Sequence, residues 1–338
     1  MFNKLISLKT DKKEEIKEER KVVFQEKKSS LKDRIKYFNK NIYKLKNKTK
    51  SLYVSANLDS CITDDLHIEM KAIPENEIRC YTNYNGNHLE LNCNEIFEIE
   101  EKTGEDEKLV LNFIGSLKHS KIIIEYPYFI DQFTFCGSLN VNFRDITKIH
   151  SLNLEGNSIC HLNKIRSNFI RFWLKDSSML FLEKIENNIS LYEESTIIIS
   201  ATDDSICSIG EKEENKENST FKGYQFADFS FYKNSKLYVN NTLNLKHIIV
   251  LSTNSSMVQM HKIKTECLNL TAREKSRFNI KEDSVADSLF LKKSGASEAN
   301  LEKMYGDGFS ICDERFLSFP RLKNMPYKNF KKVNYYRV

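Results

Sequence analysis

A recurrence of about 20 residues governs what this chain can fold into. Ser138, Ser158 and Ser178 stand 20 and 20 apart, and Ser235, Ser255 and Ser276 follow at 20 and 21. Gly137, Asn157 and Ser177 precede the first three, and Asn234 and Asn254 precede the next two. Apolar pairs keep step before these turns: Leu152/Leu154, Phe172/Leu174, Phe229/Phe231, Ile249/Leu251, Leu268/Leu270 and Leu289/Leu291. Others follow the turns: Leu139/Val141, Ile159/Leu162, Leu180/Leu182, Ile197/Ile199, Leu237/Val239, Val258/Met260 and Phe278/Ile280.

Each unit offers two short strands with one apolar face apiece and cannot bury them alone. Stacked about 4.8 Å apart, successive units bury a continuous core and satisfy each other's backbone groups. A β-sandwich also has short strands, but it does not predict a register held over so many units. The pattern predicts an all-β chain, a β-solenoid (β-helix) of ~20-residue rungs. The chain has only 10 Gly and 4 Pro, so its turns must draw on Asn, Ser and Asp.

The spacing divides the chain into three parts. Residues 51–310 form the solenoid body. It opens with short alternating strands at Leu52, Ile78 and His88, and Asn85-Gly86 is a two-residue hairpin signal. Ser195 and Ser235 lie two periods apart, and Glu211 to Thr220 holds no apolar residue, so 201–224 reads as an irregular charged insertion. The repeat fades after Ser297, where Leu301-Glu-Lys-Met-Tyr reads as a short helix. Residues 1–50 read as a basic amphipathic helical extension. Ser30 and Asp33 suit a helix start, and Leu31, Ile35, Phe38, Ile42 and Leu45 form one stripe. Residues 311–338 form a basic aromatic tail, with Pro320 and Pro326 favouring an extended path.

Charge follows the same division. Residues 1–50 hold 17 Lys/Arg against 7 Asp/Glu, and 315–338 hold 7 against none. With a net charge of +5 overall, the part between is acidic at −12. Basic ends on an acidic body suit a protein partner, nucleic acid or an anionic surface. The candidate contact residues are Lys32, Arg34, Lys36, Lys44 and Lys46 at one end. At the other end they are Arg321, Lys323, Tyr327, Phe330, Lys331, Lys332, Tyr335 and Tyr336. Basic–aromatic interleaving suits single-stranded nucleic acid, and equally a segment laid over a partner or over the open end of the stack.

No run approaches the ~18 apolar residues of a membrane helix, and the first residues lack a signal-peptide core. The eight cysteines include no C-x-x-C pair, so reduced thiols in an intracellular or particle-associated protein are expected, without zinc or another cofactor. No Walker loop or G-x-S-x-G elbow occurs. Solenoids that cleave glycans pair carboxylates on adjacent rungs, which points at Asp176 with Glu193 or Glu194, and at Asp203 with Asp204. These acids also suit turns. The expectation is therefore a non-enzymatic structural or interaction protein anchored in a larger assembly, such as a virion, phage or multiprotein particle. The alternatives are nucleic-acid binding through the termini and glycan binding or cleavage on the solenoid face.

The runs Lys121-Ile-Ile-Ile-Glu-Tyr-Pro127, Phe133-Thr-Phe-Cys-Gly137-Ser138 and Leu152-Asn-Leu-Glu-Gly156-Asn-Ser158 resemble the head (GIN) domain of bacterial autotransporter-adhesin-like proteins. The likeness covers roughly residues 55–300 and implies a right-handed β-helix and an adhesin-like role, with no catalytic residue to carry over. The chain departs from the family's Gly-Ser-Gly turns, placing Asn-Ser, Ser-Ser and Lys-Ser there.

Overall fold

The computed structural model describes residues 42–56, 66–84, 87–103, 107–114, 121–144, 148–186, 195–210, 221–222, 224–313 and 327–336. They form an all-β chain whose long sheet is rich in parallel pairs. The first part holds β1 (Ile42–Lys44), β2 (Ser51–Ala56), β3 (Leu66–Ile73), β4 (Glu77–Tyr84) and β5 (Asn87–Leu91). One helical turn, α1 (Cys93–Ile96), then leads to β6 (Phe97–Lys102), β7 (Lys108–Phe113) and β8 (Lys121–Pro127). Next come β9 (Gln132–Gly137), β10 (Leu139–Phe143), β11 (Ser151–Gly156), β12 (Ile159–Arg166), β13 (Phe169–Leu174) and β14 (Met179–Glu186). They are followed by β15 (Thr196–Ala201), β16 (Ile206–Ile209), β17 (Phe221–Lys222), β18 (Phe226–Phe231), β19 (Lys236–Ser252) and β20 (Met257–Ala272). The last are β21 (Arg277–Ile280), β22 (Ser284–Lys293), β23 (Glu298–Asn300), β24 (Met304–Asp313) and β25 (Phe330–Tyr336).

From β9 onward each strand pairs in parallel with its counterpart one unit later. One series runs β9, β11, β13, β15, β18 and then the last residues of β19, β20, β22 and β24. A second runs β10, β12, β14, β16, the start of β19, the start of β20, β21 and β23. Inward columns are apolar throughout. Phe133, Leu152, Phe172, Ile199, Phe229, Val250, Leu270 and Leu291 are successive partners, and all are buried. The neighbouring sheet supplies Val141, Cys160, Leu180, Cys207, Leu237, Val258 and Phe278 in the same way.

The two series meet at a stacked turn. Gly156, Asp176, Asp203, Lys233, Asn254, Glu274 and Gly295 all have φ between 55° and 71°. Two residues after each stands a buried serine: Ser158, Ser178, Ser205, Ser235, Ser256, Ser276 and Ser297. Several of these hydroxyls donate to the carbonyl three residues back, as Ser205 does to Thr202 at 2.6 Å and Ser235 to Tyr232 at 2.7 Å. The turn thus caps its own buried polar group.

This column corrects the sequence register in places. Ser256 rather than Ser255 belongs to it, and Ser138 stands one residue early, because Leu139 precedes the Asn140–Ile159 pair. Outward-facing Ile249 gives its inward place to Ile248 and Val250, and Ile159 gives its place to Cys160. Ser195 lies at another corner, so Ile197 and Ile199 precede the turn rather than follow it. Residues 201–209 are regular, completing β15, a turn and β16, so the charged insertion is narrower than 201–224. The repeat does not fade at Ser297. Glu302 and Lys303 form a turn into β24, in place of the expected short helix. Residues 42–50, with Ile42 in β1 and Leu45 buried beyond it, form a strand and bends, not a helix, and residues 1–41 of the expected N-terminal helix lie outside the described residues.

The N-terminal part departs from chain order. β2 pairs with both β7 and β9, and β3 with both β8 and β10. The level made by β2 and β3 therefore sits between one formed later in the chain, β7 with β8, and the start of the in-order series. Antiparallel strands β4 and β6 lie along the outer edges of β8 and β7, where they cover the exposed strand edge. β4 and β5 pair up to Tyr84–Asn87, which leaves two residues to join them. Those two, Asn85 and Gly86, lie outside the described residues.

Candidate interaction face

The outward side of the β9–β24 series carries the exposed apolar side chains Trp173, Ile249 and Phe290. One register column reads Arg171, Ile198, Asp228, Ile249, Asn269, Phe290 and Ser310. The adjacent column reads Asn153, Trp173, Ser200, Ser230, Leu251, Thr271, Lys292 and Cys312. Trp173 is 53% exposed, Phe290 47% and Ile249 45%. Alternation forces this placement. Phe172 and Leu174 point into the core, so Trp173 between them points out.

Two recesses lie on this face. One of about 230 Å³ is bordered by Asn269, Thr271, Phe290, Lys292, Ser310 and Cys312, with Leu270, Leu291 and Ile311 beneath. The other, about 280 Å³, lies toward the N-terminal levels and is polar, bordered by Ser51, Glu107, Lys108, Gln132, Thr134, Ser151 and Asn153. Its polar groups partly hold one another. The Ser51 hydroxyl donates to Gln132 Oε1 at 2.9 Å, and the Asn153 amide donates to Thr134 Oγ1 at 3.3 Å. Beside it, burial first and the neighbouring Cys136 second push the Tyr53 phenol up to about 12. At mid-face, burial raises the Asp228 carboxyl above its ordinary value, while the Ser230 hydroxyl at 3.3 Å opposes that rise. Such a face offers contact area, hydrogen-bonding groups and one half-buried acid.

The residues picked out by sequence fall elsewhere. Lys32, Arg34, Lys36, Arg321 and Lys323 lie outside the described residues. Lys44 ends β1 and Lys46 follows it, both exposed; the Lys46 amide donates to Glu101 at 3.0 Å. Phe330 is a correction: it is buried against Phe309, at 5.4 Å between ring centres, so it fills the core instead of meeting a partner. Residues 330–336 of the C-terminal segment lie on the end of the stack, where β25 pairs in parallel with β24. Lys331 reaches Asp307 at 2.7 Å, and Lys332 is exposed. Tyr327 lies in a 3-10 turn, and Tyr335 and Tyr336 end β25. The basic groups are not brought together, since β1 joins β4 and β25 joins β24.

The carboxylates considered for glycan cleavage serve the turns. Asp176 and Asp203 occupy the positive-φ position. Asp176 accepts from the Gly156 amide at 3.1 Å, and Asp203 pairs with Lys233. Glu193 and Glu194 lie outside the described residues. Among the described residues no group of three His, Cys, Asp or Glu is placed to hold a metal, and no helix is long and apolar enough to cross a membrane. Sequence reasoning missed Trp173, Ile249 and Phe290 as surface groups. The alternation that marks their neighbours as core could have found them.

No family model matches the chain, and no curated protein does. Among solved structures, the chain is similar to the crystal structure of a "putative adhesin" from Bacteroides fragilis. The sequence identity is 10% and the TM-score 0.35, over 88% of this chain and 95% of that one.

Proposed function

We propose that the chain is a non-enzymatic interaction protein. In this reading its body is a right-handed β-solenoid that presents its exposed apolar face to a protein partner within a larger assembly. The observation that carries the reading is the placement of Ile249 and Phe290 in one outward column and of Trp173 in the adjacent one, on the same sheet side. Large apolar side chains exposed on one side of a rigid support favour a partner, because their exposure leaves hydrophobic area in water that docking would remove. Aromatic anchors of this kind tend to dominate interface energies. The hand follows from the strong preference of parallel crossovers for the right-handed path. The likeness to adhesin head domains read from the Gly-Ser turns belongs with this proposal.

The polar recess supports a second reading, glycan binding, since amides and hydroxyls at Gln132, Thr134 and Asn153 suit sugar hydroxyls. Sedimentation of the full chain from its native source tests both. The expected result is a large nuclease-resistant particle that the folded Trp173→Ser/Phe290→Ser variant leaves. Release by nuclease would put nucleic acid first. A free species that binds glycans, and loses them in Asn153→Ala, would put the recess first.

A further inference from the structure

Cys80 lies in β4, and Cys93 opens the helical turn α1, 13 residues later. Their sulfurs stand 2.8 Å apart, and each residue is 1% exposed. The Cys93 sulfur also lies 3.7 Å from the Ile78 carbonyl oxygen. The backbone brings the two together by pairing Cys80 with Leu91, two residues before Cys93. A disulfide holds its sulfurs at about 2.05 Å, so less than ~1 Å of closure separates this pair from a bond.

We propose that Cys80 and Cys93 form a disulfide that staples the β4–β5 hairpin to α1 at the covered end of the stack. The bond would fix the element that most needs fixing. β4 and α1 are held by short antiparallel pairs and one helical turn, not by the long parallel series. A small-molecule disulfide is the oxidant. One cysteine thiolate attacks it, forms a mixed disulfide and releases one small thiol. The second cysteine thiolate then attacks the protein sulfur of that mixed disulfide and releases the other. Both small thiolates take up the protons the cysteines lost, so two cysteine thiols and one disulfide give one protein disulfide and two small thiols. The hydrogen bond from Cys93 and burial both hold the Cys80 thiol well above its ordinary range. Exchange therefore belongs to the open hairpin during folding, before the pair is enclosed. Closure afterwards shields the bond from reductants in solution.

The test uses the full chain, refolded from urea in a mixture of oxidised and reduced glutathione and, separately, in reduced glutathione alone. Each sample is denatured, alkylated and mapped by peptide mass. The expected result is near-complete loss of alkylation at Cys80 and Cys93 in the first sample only, with the two peptides linked. The melting temperature of the linked sample should exceed that of the reduced one. Full alkylation of both residues in both samples overturns the proposal, as does linkage of either residue to a different cysteine. The mass readout needs no variant, so a folding defect in Cys80→Ser cannot obscure it.

Discussion

Residues 42–131 and residues 151–313 bury the same kind of core by different means. In the later stretch each level rests on the one before it in the chain, and one kind of turn repeats at every level. In the earlier stretch the level formed by β2 and β3 is enclosed by strands from both later sides, and antiparallel strands cover the end. Large rings fill the join. Tyr126 meets Phe133 at 5.3 Å, and Phe133 meets Phe143 at 5.1 Å, both edge to face. Carboxylates grip the outer side there: Glu69 pairs with Lys121 and Arg144, and Glu125 with Lys71 at 2.7 Å. The difference teaches that a stack needs only local repetition to grow, but specific, non-repeating contacts to end.

The sharpest way to break this picture is a charge in the repeating interior. Leu174 is fully buried between Leu154 and Ala201 in register. Leu174→Asp leaves a buried charge without a partner and should cost about 3–5 kcal/mol, seen as a large fall in the urea midpoint. Lys236→Ala, exposed in the same stack, should leave the midpoint unchanged. Equal effects would show that the register places neither residue correctly.

Legibility follows the same division. The strand pairs around Leu152, Phe172, Leu180, Phe229 and Leu268 could be read because chain order and spatial order coincide there. Ile249 and Ser255 were read one residue off. The Ser235–Ser256 interval is 21, and a single residue inverts every face of a strand. Of the enclosed level only the strand at Leu52 was legible, not its place between later strands. Nothing local in Leu52 announces that β9, some 81 residues from β2, will lie beside it, nor anything in Leu66 that β10 will lie beside β3. The candidate face was missed for a related reason: aromatic residues were credited to the basic ends, whereas Trp173 and Phe290 stand in the middle of the stack.

A smaller effect sharpens the account of the repeating turn. Gly295 has φ near 71°, and a Cβ there would meet Glu274 backbone atoms at 2.6 and 2.7 Å. Gly295→Ala should therefore destabilise by about 2 kcal/mol. One level earlier, Glu274 bears the same left-handed backbone with a side chain, at φ 60°. Glu274→Gly relieves the left-handed backbone cost but gives up the side chain's contacts and adds entropy to the unfolded chain, so its change should be smaller than that of Gly295→Ala. Both are read from urea unfolding. A clearly larger loss at Gly295 than at Glu274 is the signature of one shared turn, and equal losses would separate the two positions.

The smallest effect lies where the two regions meet on the outer side of the second strand series. There the column passes from Glu69 through Asn142 to His161 and Phe181. His161 stacks on Phe181 at 4.8 Å between ring centres. Burial lowers the imidazole pKa below 6.5, with Glu183 opposing. In the window between that lowered value and 6.5 the unfolded chain binds a proton that the folded one does not. Stability contributed by the neutral ring is thus intact above 6.5 and lost as pH falls through the window, then level below it. The ring remains partly exposed, so the loss is slight. His161→Phe keeps the stack and removes the titration. Its urea midpoint should hold from pH 7 to pH 5 where the wild type drifts down. A drift of equal size in both would take the pH dependence away from His161.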